Sequence, residues 1–328
     1  MKTAKDYLDT VARFFAEEEF MAEPAGLYAP IDYTLRLGGK RVRPTMLLMG
    51  NALFGGKDED VRSAAIGIET FHNSTLLHDD LMDRSPLRRG QPTVYKKWDE
   101  NTAVLSGDVM YALAWRYFMR QPSPRIIEVL KCFNDTFIEV CEGQQKDMDF
   151  ETMALEEVSI DAYMDMIRQK TAVLLAASLK IGALYAGAPE QDVEKIWNFG
   201  IHLGLAFQLQ DDLLDGYGDT AVFGKKTGQD IRDNKKTFLP LKALRLCQTE
   251  SDRDQFASLF EAKDNMDEEE KVSKAMALYD KVGLRPELEK AIKKEFELAQ
   301  QCLESIQASD EAKQPLRQMV EMLFDRKK

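Results

Sequence analysis

The chain has 328 residues, of which 44% are hydrophobic and 30% are charged, and its formal net charge at pH 7 is −12. The length allows one large domain or two of ordinary size, and no shift in composition marks a linker, so we expect one domain over residues 1–328. The acidic balance argues against a nucleic-acid-binding protein, because no basic stripe runs along the sequence.

Three further features indicate a soluble, cytoplasmic protein without stable membrane insertion. The first twenty residues have the pattern of a charged amphipathic helix and not that of a signal peptide. The most apolar run, Thr171 to Gly187, is interrupted by Lys180 and is too short to span a bilayer. The four cysteines have no metal-binding spacing, and we expect them to be buried and reduced.

Helical patterns follow one another along the chain. They lie at about residues 3–20, 27–37, 44–54, 58–83, 99–120, 125–149, 159–187, 189–215, 237–247, 251–262, 267–281, 285–307 and 310–325. Asp58 is the expected N-cap of the helix over 58–83, and residues 84–96 and 216–236 are expected to be loops. Period-two alternation and hairpin signals are almost absent. The predicted fold class is therefore all-α, a single large helical bundle.

An acidic cluster closes the helix predicted over residues 58–83. Asp79 and Asp83 are four residues apart, so they lie about 40° apart in direction and about 6 Å apart along the axis. Asp80 points roughly 100° away from Asp79. Two carboxylates on one face repel each other, and the negative end of the helix dipole adds to the cost. This placement therefore favours a bound cation.

A second cluster of the same form closes the helix over 189–215, with Asp211, Asp212 and Asp215. Each cluster is followed by a basic segment, Arg88–Arg89 in the first case and the lysine-rich run 224–236 in the second. One DDxxD alone is typical of a solvated helix end. Two of them with basic partners favour magnesium ions completed by a diphosphate, with arginine and lysine side chains around it.

Five distinctive segments follow one another between residues 38 and 236. They are GGKRVRP (38–44), HDDLMD with RRG (78–90), QKT (169–171), FQLQDDLLD (207–215) and GKKTGQDIRDNKK (224–236). Together they resemble the trans-polyprenyl diphosphate synthases, the family of farnesyl and geranylgeranyl diphosphate synthases. The resemblance implies an isoprenoid synthase fold with a central cavity that both acidic clusters line, a homodimer, and Mg²⁺ as cofactor. The C-terminal helices carry no motif of the family.

The resemblance also assigns roles to individual residues. The magnesium ligands would be Asp79, Asp83 and Asp211, supported by Asp80 and Asp215. Isopentenyl diphosphate would be bound by Lys40, Arg43, His72 and Arg89. The allylic diphosphate would be bound by Arg88, Lys170, Thr171, Gln208 and Lys235, together with Lys225 or Lys226, between which the sequence does not decide. The expected catalytic set is Asp79, Asp80, Asp83, Arg88, Lys170, Asp211 and Lys235. His72 also fits by position, because it lies two helical turns before Asp79 on nearly the same face.

The implied reaction is electrophilic chain elongation. The allylic carbon–oxygen bond ionises while metal ions and cationic side chains stabilise the diphosphate that leaves. The double bond of isopentenyl diphosphate attacks the carbocation, and loss of a proton gives a chain five carbons longer. Water must be excluded, because it would trap the cation.

Residues before the first acidic cluster bear on product length. In short-chain members of the family, bulky aromatic residues four or five positions before the first aspartate close the tunnel, but here these are Thr75 and Ser74. The first aromatic residue on that face is Phe71, which favours geranylgeranyl diphosphate. A farnesyl product or a chain of twenty-five or more carbons remains an alternative. Phe71 is equally explained by core packing, and the other candidates for the tunnel floor are Met110, Tyr111 and Met148.

Three alternative functions fit the sequence less well. A terpene cyclase shares the first DDxxD, but its second metal motif is usually of a different type. A histidine–aspartate phosphohydrolase needs several clustered histidines, and this chain has three in all. A non-catalytic regulatory subunit would be marked by loss of an aspartate or of the arginine pair, and all of these are present.

Overall fold

The computed structural model describes residues 2–218, 227–260 and 266–324, and most of these residues are helical. The α-helices are α1 (Ala4–Glu17), α2 (Ala25–Arg36), α3 (Val42–Leu53), α4 (Arg62–Met82), α5 (Val94–Lys97), α6 (Glu100–Met119), α7 (Ile126–Thr152), α8 (Ile160–Ile167), α9 (Val173–Tyr185), α10 (Glu190–Tyr217), α11 (Gln229–Arg232), α12 (Phe238–Leu246), α13 (Glu250–Ser258), α14 (Glu268–Lys281), α15 (Leu284–Ser305) and α16 (Asp310–Phe324). Two 3-10 turns, Asp58–Val61 and Leu155–Glu157, and one π-helical turn, Arg168–Ala172, lie among them. The prediction of an all-α fold is confirmed.

The start of the fourth helix differs from the prediction. Asp58 does not cap it, because residues 58–61 form a separate 3-10 turn and the α-helix begins at Arg62. The helix has no side-chain cap at its N-cap residue, Val61, and the carboxylate of Asp60 instead accepts the backbone N–H of Lys57 at 3.1 Å within the 3-10 turn. The carboxylate of Asp60 therefore stabilises the turn that precedes α4, and not the first turn of the helix itself.

The two predicted loops contain some regular structure. Residues 84–96 include an antiparallel hairpin, β1 (Leu87–Arg88) and β2 (Gln91–Pro92), in which Leu87 pairs with Pro92. Its strands are too short for alternation to be visible in the sequence. Within 216–236, α11 adds one helical turn. The helix predicted over 159–187 is divided by the π-helical turn into α8 and α9.

The chain divides into two compact units. The first comprises Met1–Asn134, Ala177–Ile196 and Gln307–Met319, and the second comprises Asp135–Ala176, Trp197–Ile306 and Val320–Lys328. In the first unit, α4 packs along α6 where Gly67 leaves room, since a Cβ there would lie 3.0 Å from Cβ of Tyr117. In the second unit, Gly204 of α10 approaches the π-helical turn, and a Cβ there would lie 2.5 Å from Cα of Ala172.

The structure bears on two expectations, the absence of a membrane-spanning helix and the burial of the cysteines. Within the described part of the chain, every helix is too short or too polar to cross a lipid bilayer. All four cysteines are free, but only Cys132 and Cys247 are buried. The expectation that all four are buried is wrong, because Cys141 faces solvent on α7 and Cys302 is half-buried.

Candidate active site

The first acidic cluster lies at the C-terminal end of α4, in the first unit. Asp79 is half-buried and Asp83, which follows the last helical residue, is exposed, whereas Asp80 is 5% exposed. Arg88 on β1 holds Asp80, with Nε donating to Oδ2 at 2.7 Å and Nη2 lying 2.7 Å from Oδ1. Burial raises the pKa of Asp80 and the Arg88 guanidinium opposes this shift. The three aspartates therefore divide into two that face outward and one that faces inward.

A cationic cluster lies beside this helix in the same unit. Nη1 of Arg43 is 3.0 Å from Nε2 of His72. Burial holds the pKa of His72 well below its ordinary value, and the guanidinium of Arg43 and those of three further arginines lower it more. Burial also lowers the pKa of Arg43 to about 10, which leaves it charged at neutral pH. An imidazole that stays neutral among guanidinium groups marks a local positive potential that suits an anion.

Arg89 joins the cluster through the glycine turn 38–39. Its Nη1 donates to the carbonyl of Gly38. A Cβ on Gly39 would lie 2.7 Å from Cζ of Arg89, so a larger residue there would displace the guanidinium from its position. The backbone of Gly39 has φ +122°, which also favours glycine. Lys40 follows this turn and is exposed.

The sequence reasoning missed the buried acid that supports this turn. Glu69 on α4 is 2% exposed, and its Oε1 accepts from Arg41 at 2.8 Å and from Asn73 at 3.1 Å. Arg41 precedes α3 with φ +47°, and its guanidinium lies over the ring of Phe15 at 4.2 Å from the centroid. Glu69 and Arg41 thereby fix the backbone between Gly39 and Arg43. No motif signals this role, since glutamate within a helix is ordinary.

Phe71 lies at the centre of an aromatic cluster in the first unit. It is fully buried, with its ring centroid 5.8 Å from that of Tyr111 and 5.2 Å from that of Phe133. The hydroxyls of Ser74 and Thr75 donate to backbone carbonyls of α4, at 2.6 and 2.8 Å. Among the other candidates for the tunnel floor, Met110 is fully buried and Met148 is 41% exposed.

The second acidic cluster lies near the C-terminal end of α10, in the second unit. Asp211 and Asp215 are half-buried and Asp212 is 2% exposed. Asp215 accepts the backbone N–H groups of Gln229 at 3.1 Å and Asp230 at 3.2 Å. Burial raises the pKa of Asp215. The pKa of Asp230 is raised further, by burial and by the nearby carboxylate of Asp215.

Asp212 accepts hydrogen bonds from the interior of the second unit, which its place in the DDxxD motif does not predict. The hydroxyl of Tyr163 donates to its Oδ2 at 2.5 Å, and the backbone N–H of Phe238 lies 3.4 Å from the same oxygen. Nε2 of Gln208 donates to Oδ1 at 3.3 Å. Burial raises the pKa of Asp212 to about 7, against these hydrogen bonds. Asp212 therefore faces the interior of this unit.

The QKT segment lies in the π-helical turn of the second unit. Lys170 pairs with Asp147 of α7 at 2.7 Å, and Oγ1 of Thr171 donates to Oε1 of Gln208 at 3.3 Å. Gly143 of α7 allows this, because a Cβ there would collide with the backbone N of Lys170. A π turn adds one residue to the helical register and often occurs at functional sites. The turn thus brings Thr171 next to Gln208.

Lys235 is brought to the same helix, α7. Its Nζ lies 2.6 Å from Oε1 of Glu151 and 3.8 Å from Oδ2 of Asp147. The buried Lys236 donates to the carbonyl oxygen of Glu151 at 3.1 Å. Lys170 and Lys235, both predicted to bind substrate, therefore share the carboxylates of Asp147 and Glu151. Neither of these acidic residues belongs to a motif of the family. Lys225 and Lys226 lie outside the described residues.

Known proteins resemble this chain over most of its length. Residues 24–279 match the family model described as polyprenyl synthetase. The geranylgeranyl diphosphate synthase of Sulfolobus acidocaldarius is 42% identical over 226 residues, which are 68% of each chain. The short chain isoprenyl diphosphate synthase of Methanothermobacter thermautotrophicus is 33% identical over 304 residues, 92% of this chain and 91% of that one. A crystal structure of a geranylgeranyl pyrophosphate synthase matches with a TM-score of 0.93 and 41% identity, covering 99% of both chains.

These matches agree with what the residues indicate on their own. The matched range contains both acidic clusters, the glycine turn with its arginines and the π-helical turn with Lys170. The fold, the family model and the relatives therefore lead to one conclusion: the chain belongs to the polyprenyl synthetase family and is a prenyltransferase that elongates isoprenoid chains.

Proposed function

We propose that the enzyme condenses isopentenyl diphosphate with an allylic diphosphate and releases geranylgeranyl diphosphate as its main product. The observation that carries this proposal is the grouping of anion-binding side chains beside an acidic helix end. Arg43 and Arg89 lie near His72 in the first unit, and His72 is on α4, the helix whose last turn carries Asp79. In the second unit, Lys170 and Lys235 both pair with carboxylates of α7, and the same unit contains the acidic cluster of α10.

Isopentenyl diphosphate is assigned to the cationic cluster of the first unit. Arg43 supplies a guanidinium that remains charged at neutral pH, and neutral His72 supplies a polar ring beside it. Arg89 is held over the glycine turn, and Lys40 follows the same turn. A fork-shaped guanidinium and a mobile ammonium together fit a diphosphate.

The allylic diphosphate is assigned to Arg88, Lys170, Thr171, Gln208 and Lys235, with Lys225 or Lys226. Asp147 and Glu151 hold the two described lysines at 2.7 and 2.6 Å. Both carboxylates lie near the C-terminal end of α7, where the helix dipole disfavours negative charge. The lysines offset that cost, and they are held in place before a diphosphate arrives.

Magnesium fits the residues at both acidic helix ends. Asp79, Asp83 and Asp211 would be its ligands, with Asp80 and Asp215 supporting them. Carboxylate oxygens are the donors that Mg²⁺ prefers, and it is usually completed by waters and substrate phosphates. When bound, the metal would stabilise negative charge on the diphosphate that leaves. The inward-facing Asp80, held by Arg88, suits a supporting role.

The remaining chemistry belongs to substrate and to side chains that orient it. The cationic side chains named above stabilise the departing diphosphate, and the substrate double bond attacks the carbocation. Apolar residues must exclude water from the hydrocarbon. We assign the floor to the cluster of Phe71, Tyr111 and Phe133, because Phe71 lies about one helical turn farther from Asp79 than the small residues Ser74 and Thr75 do. Two relatives described above are named as geranylgeranyl synthases, which supports a twenty-carbon product.

We also propose that the enzyme is a homodimer. In the first unit, α6 exposes Val104, Leu105 and Met119, and the start of α7 exposes Ile127 at 75%. Leu105 and Met119 are fourteen residues apart, so they share one face of α6. Exposed large apolar residues on one face mark an interface, and a second copy of this chain is the partner that the family resemblance implies.

The matched family model runs through both compact units. We therefore propose that residues 1–328 work as one synthase domain. All four cysteines are free, which supports our proposal of a reducing, cytoplasmic location.

A product assay tests the proposed function. Purified enzyme with MgCl2 and labelled isopentenyl diphosphate is incubated with dimethylallyl, geranyl or farnesyl diphosphate, and the dephosphorylated products are sized. We expect elongation that stops at twenty carbons, strict dependence on Mg²⁺, and loss of activity in Asp79→Asn. A different stopping point would overturn the product assignment. No elongation with any primer would favour a cyclase or a regulatory subunit, and a monomer by light scattering would refute the dimer.

A further inference from the structure

The hydroxyl of Tyr163 makes the shortest contact of a hydrogen-bonded network in the second unit. Tyr163 is 1% exposed and lies on α8, and it donates to Oδ2 of Asp212 on α10 at 2.5 Å. Asp212 is itself 2% exposed. A buried carboxyl group that loses its hydrogen-bond donor is left unsatisfied away from water, which costs more than losing an exposed hydrogen bond.

The hydrogen-bonded network continues from Asp212 to the π-helical turn. Gln208 donates to Asp212 at 3.3 Å and accepts from the hydroxyl of Thr171 at 3.3 Å. The backbone N–H of Phe238, at the start of α12, lies 3.4 Å from Asp212. One carboxylate therefore ties together α8 with its π turn, the acidic end of α10, and the segment that follows Lys235.

This arrangement has a geometric consequence for the neighbouring residue. Consecutive residues on a helix point about 100° apart. Because Asp212 is fixed toward the interior, Asp211 is directed away from it, and the rotation of α10 about its axis is set. Tyr163 likewise fixes the helix from which Lys170 and Thr171 continue. Removing the hydrogen bond between Tyr163 and Asp212 would loosen both Asp211 and the turn that carries Lys170 and Thr171, with little loss of packed volume.

We propose that Tyr163 and Asp212 are positioning residues that hold the π-helical turn and the acidic end of α10 in the geometry that binds the leaving diphosphate. The proposal rests on the proposed function, in that Asp211, Lys170 and Thr171 act on that diphosphate. Neither Tyr163 nor Asp212 contacts substrate. Asp212 thus differs in role from Asp211, although the two are adjacent in one motif.

The test compares Tyr163→Phe with Tyr279→Phe. Both tyrosines are fully buried in the second unit, but the hydroxyl of Tyr279 has no hydrogen-bond partner among the described residues. Binding of inorganic pyrophosphate in MgCl2 is measured by calorimetry, together with kcat, the KM for each substrate and the thermal unfolding midpoint. We expect Tyr163→Phe to weaken pyrophosphate binding and to lower kcat, each about tenfold, because the buried carboxyl group of Asp212 loses its shortest hydrogen bond. The KM for isopentenyl diphosphate and all properties of Tyr279→Phe should be unchanged.

A second pair of variants tests the division of roles within the motif. Asp212→Asn and Asp211→Asn each remove one carboxylate at adjacent positions. We expect Asp212→Asn to resemble Tyr163→Phe, and Asp211→Asn to lose nearly all activity and pyrophosphate binding. The proposal is overturned if Tyr163→Phe lowers only the unfolding midpoint, or if Asp212→Asn is as damaging as Asp211→Asn. Failure of the wild type to bind pyrophosphate or to elongate would instead refute the proposed function.

Discussion

Arg88 holds Asp80 by two contacts of 2.7 Å, one from Nε to Oδ2 and one from Nη2 to Oδ1. Asp80 is the second aspartate of its cluster, and Asp212 occupies the same place in the other cluster. Both are buried, at 5% and 2% exposure, and each has an internal partner. In each unit the second aspartate of the motif is thus anchored within the protein, while the first is more exposed.

Replacing Arg88 by lysine keeps the charge and removes the fork. A lysine cannot make both contacts to Asp80, so we expect kcat to fall about tenfold, the scale of one lost charge-assisted hydrogen bond. Arg84→Lys is the matched control, because Arg84 lies in the same segment and forms an exposed ion pair with Glu100. Steady-state kinetics on both variants make the comparison. Equal activity of Arg88→Lys and wild type would show that the two-point contact is dispensable.

Gly39→Ala should displace Arg89 from the glycine turn. The added Cβ would lie 2.7 Å from Cζ of Arg89, so we expect the KM for isopentenyl diphosphate to rise at least about tenfold. Gly38→Ala controls for backbone strain, since Gly38 also has a positive φ, +79°, but a Cβ there meets no atom within 4 Å. Both variants should lose stability. Only Gly39→Ala should raise this KM, and a similar KM in both would refute the steric argument.

The pH dependence of stability should report on His72. Its folded pKa lies well below the ordinary value of 6.5, because of burial and the neighbouring arginines. Below pH 6.5 the unfolded chain therefore takes up a proton that the folded protein does not. The free energy of unfolding should fall as pH decreases from 7 to 5, by at most about 1.4 kcal/mol per pH unit from this group.

His72→Gln isolates this contribution. Denaturant unfolding of wild type and variant is compared at pH 8, 7, 6 and 5. We expect the two stabilities to run parallel between pH 8 and 7 and to converge as the pH falls below 6.5, since only the wild type carries the group that titrates. Parallel behaviour down to pH 5 would mean that His72 is protonated in the folded protein.

The sequence predicted the helices well because their apolar periodicity is long and regular. It also placed Asp79 and Asp83 at a helix end, which the structure confirms. The π-helical turn at Arg168–Ala172 was not predicted, because no local pattern marks it and Gly143, which packs closely against it, comes from another helix. Partners distant in the chain, such as Tyr163 with Asp212, were missed for the same reason. Tertiary contacts, and not local patterns, determine which aspartate of a cluster faces inward.

Phe71→Ala should lengthen the product and destabilise the protein. Phe71 is fully buried against Tyr111 and Phe133, so truncation leaves a cavity and should lower the free energy of unfolding by about 3–5 kcal/mol. If the cluster is the floor of the tunnel, the same cavity admits at least one further five-carbon unit. Products are sized after dephosphorylation, and stability is measured by denaturant unfolding.

Phe118→Ala separates product length from stability. Phe118 is fully buried too, and its ring centroid lies 4.6 Å from that of Phe133. It lies near Gly67, where a Cβ would be 3.5 Å from its ring, and Gly67 is one helical turn farther from Asp79 than Phe71 is. We therefore expect a similar loss of stability and an unchanged product. If Phe118→Ala lengthens the chain and Phe71→Ala does not, the growing chain ends deeper along α4. If neither does, the floor lies outside this aromatic cluster, and Phe71 is a packing residue.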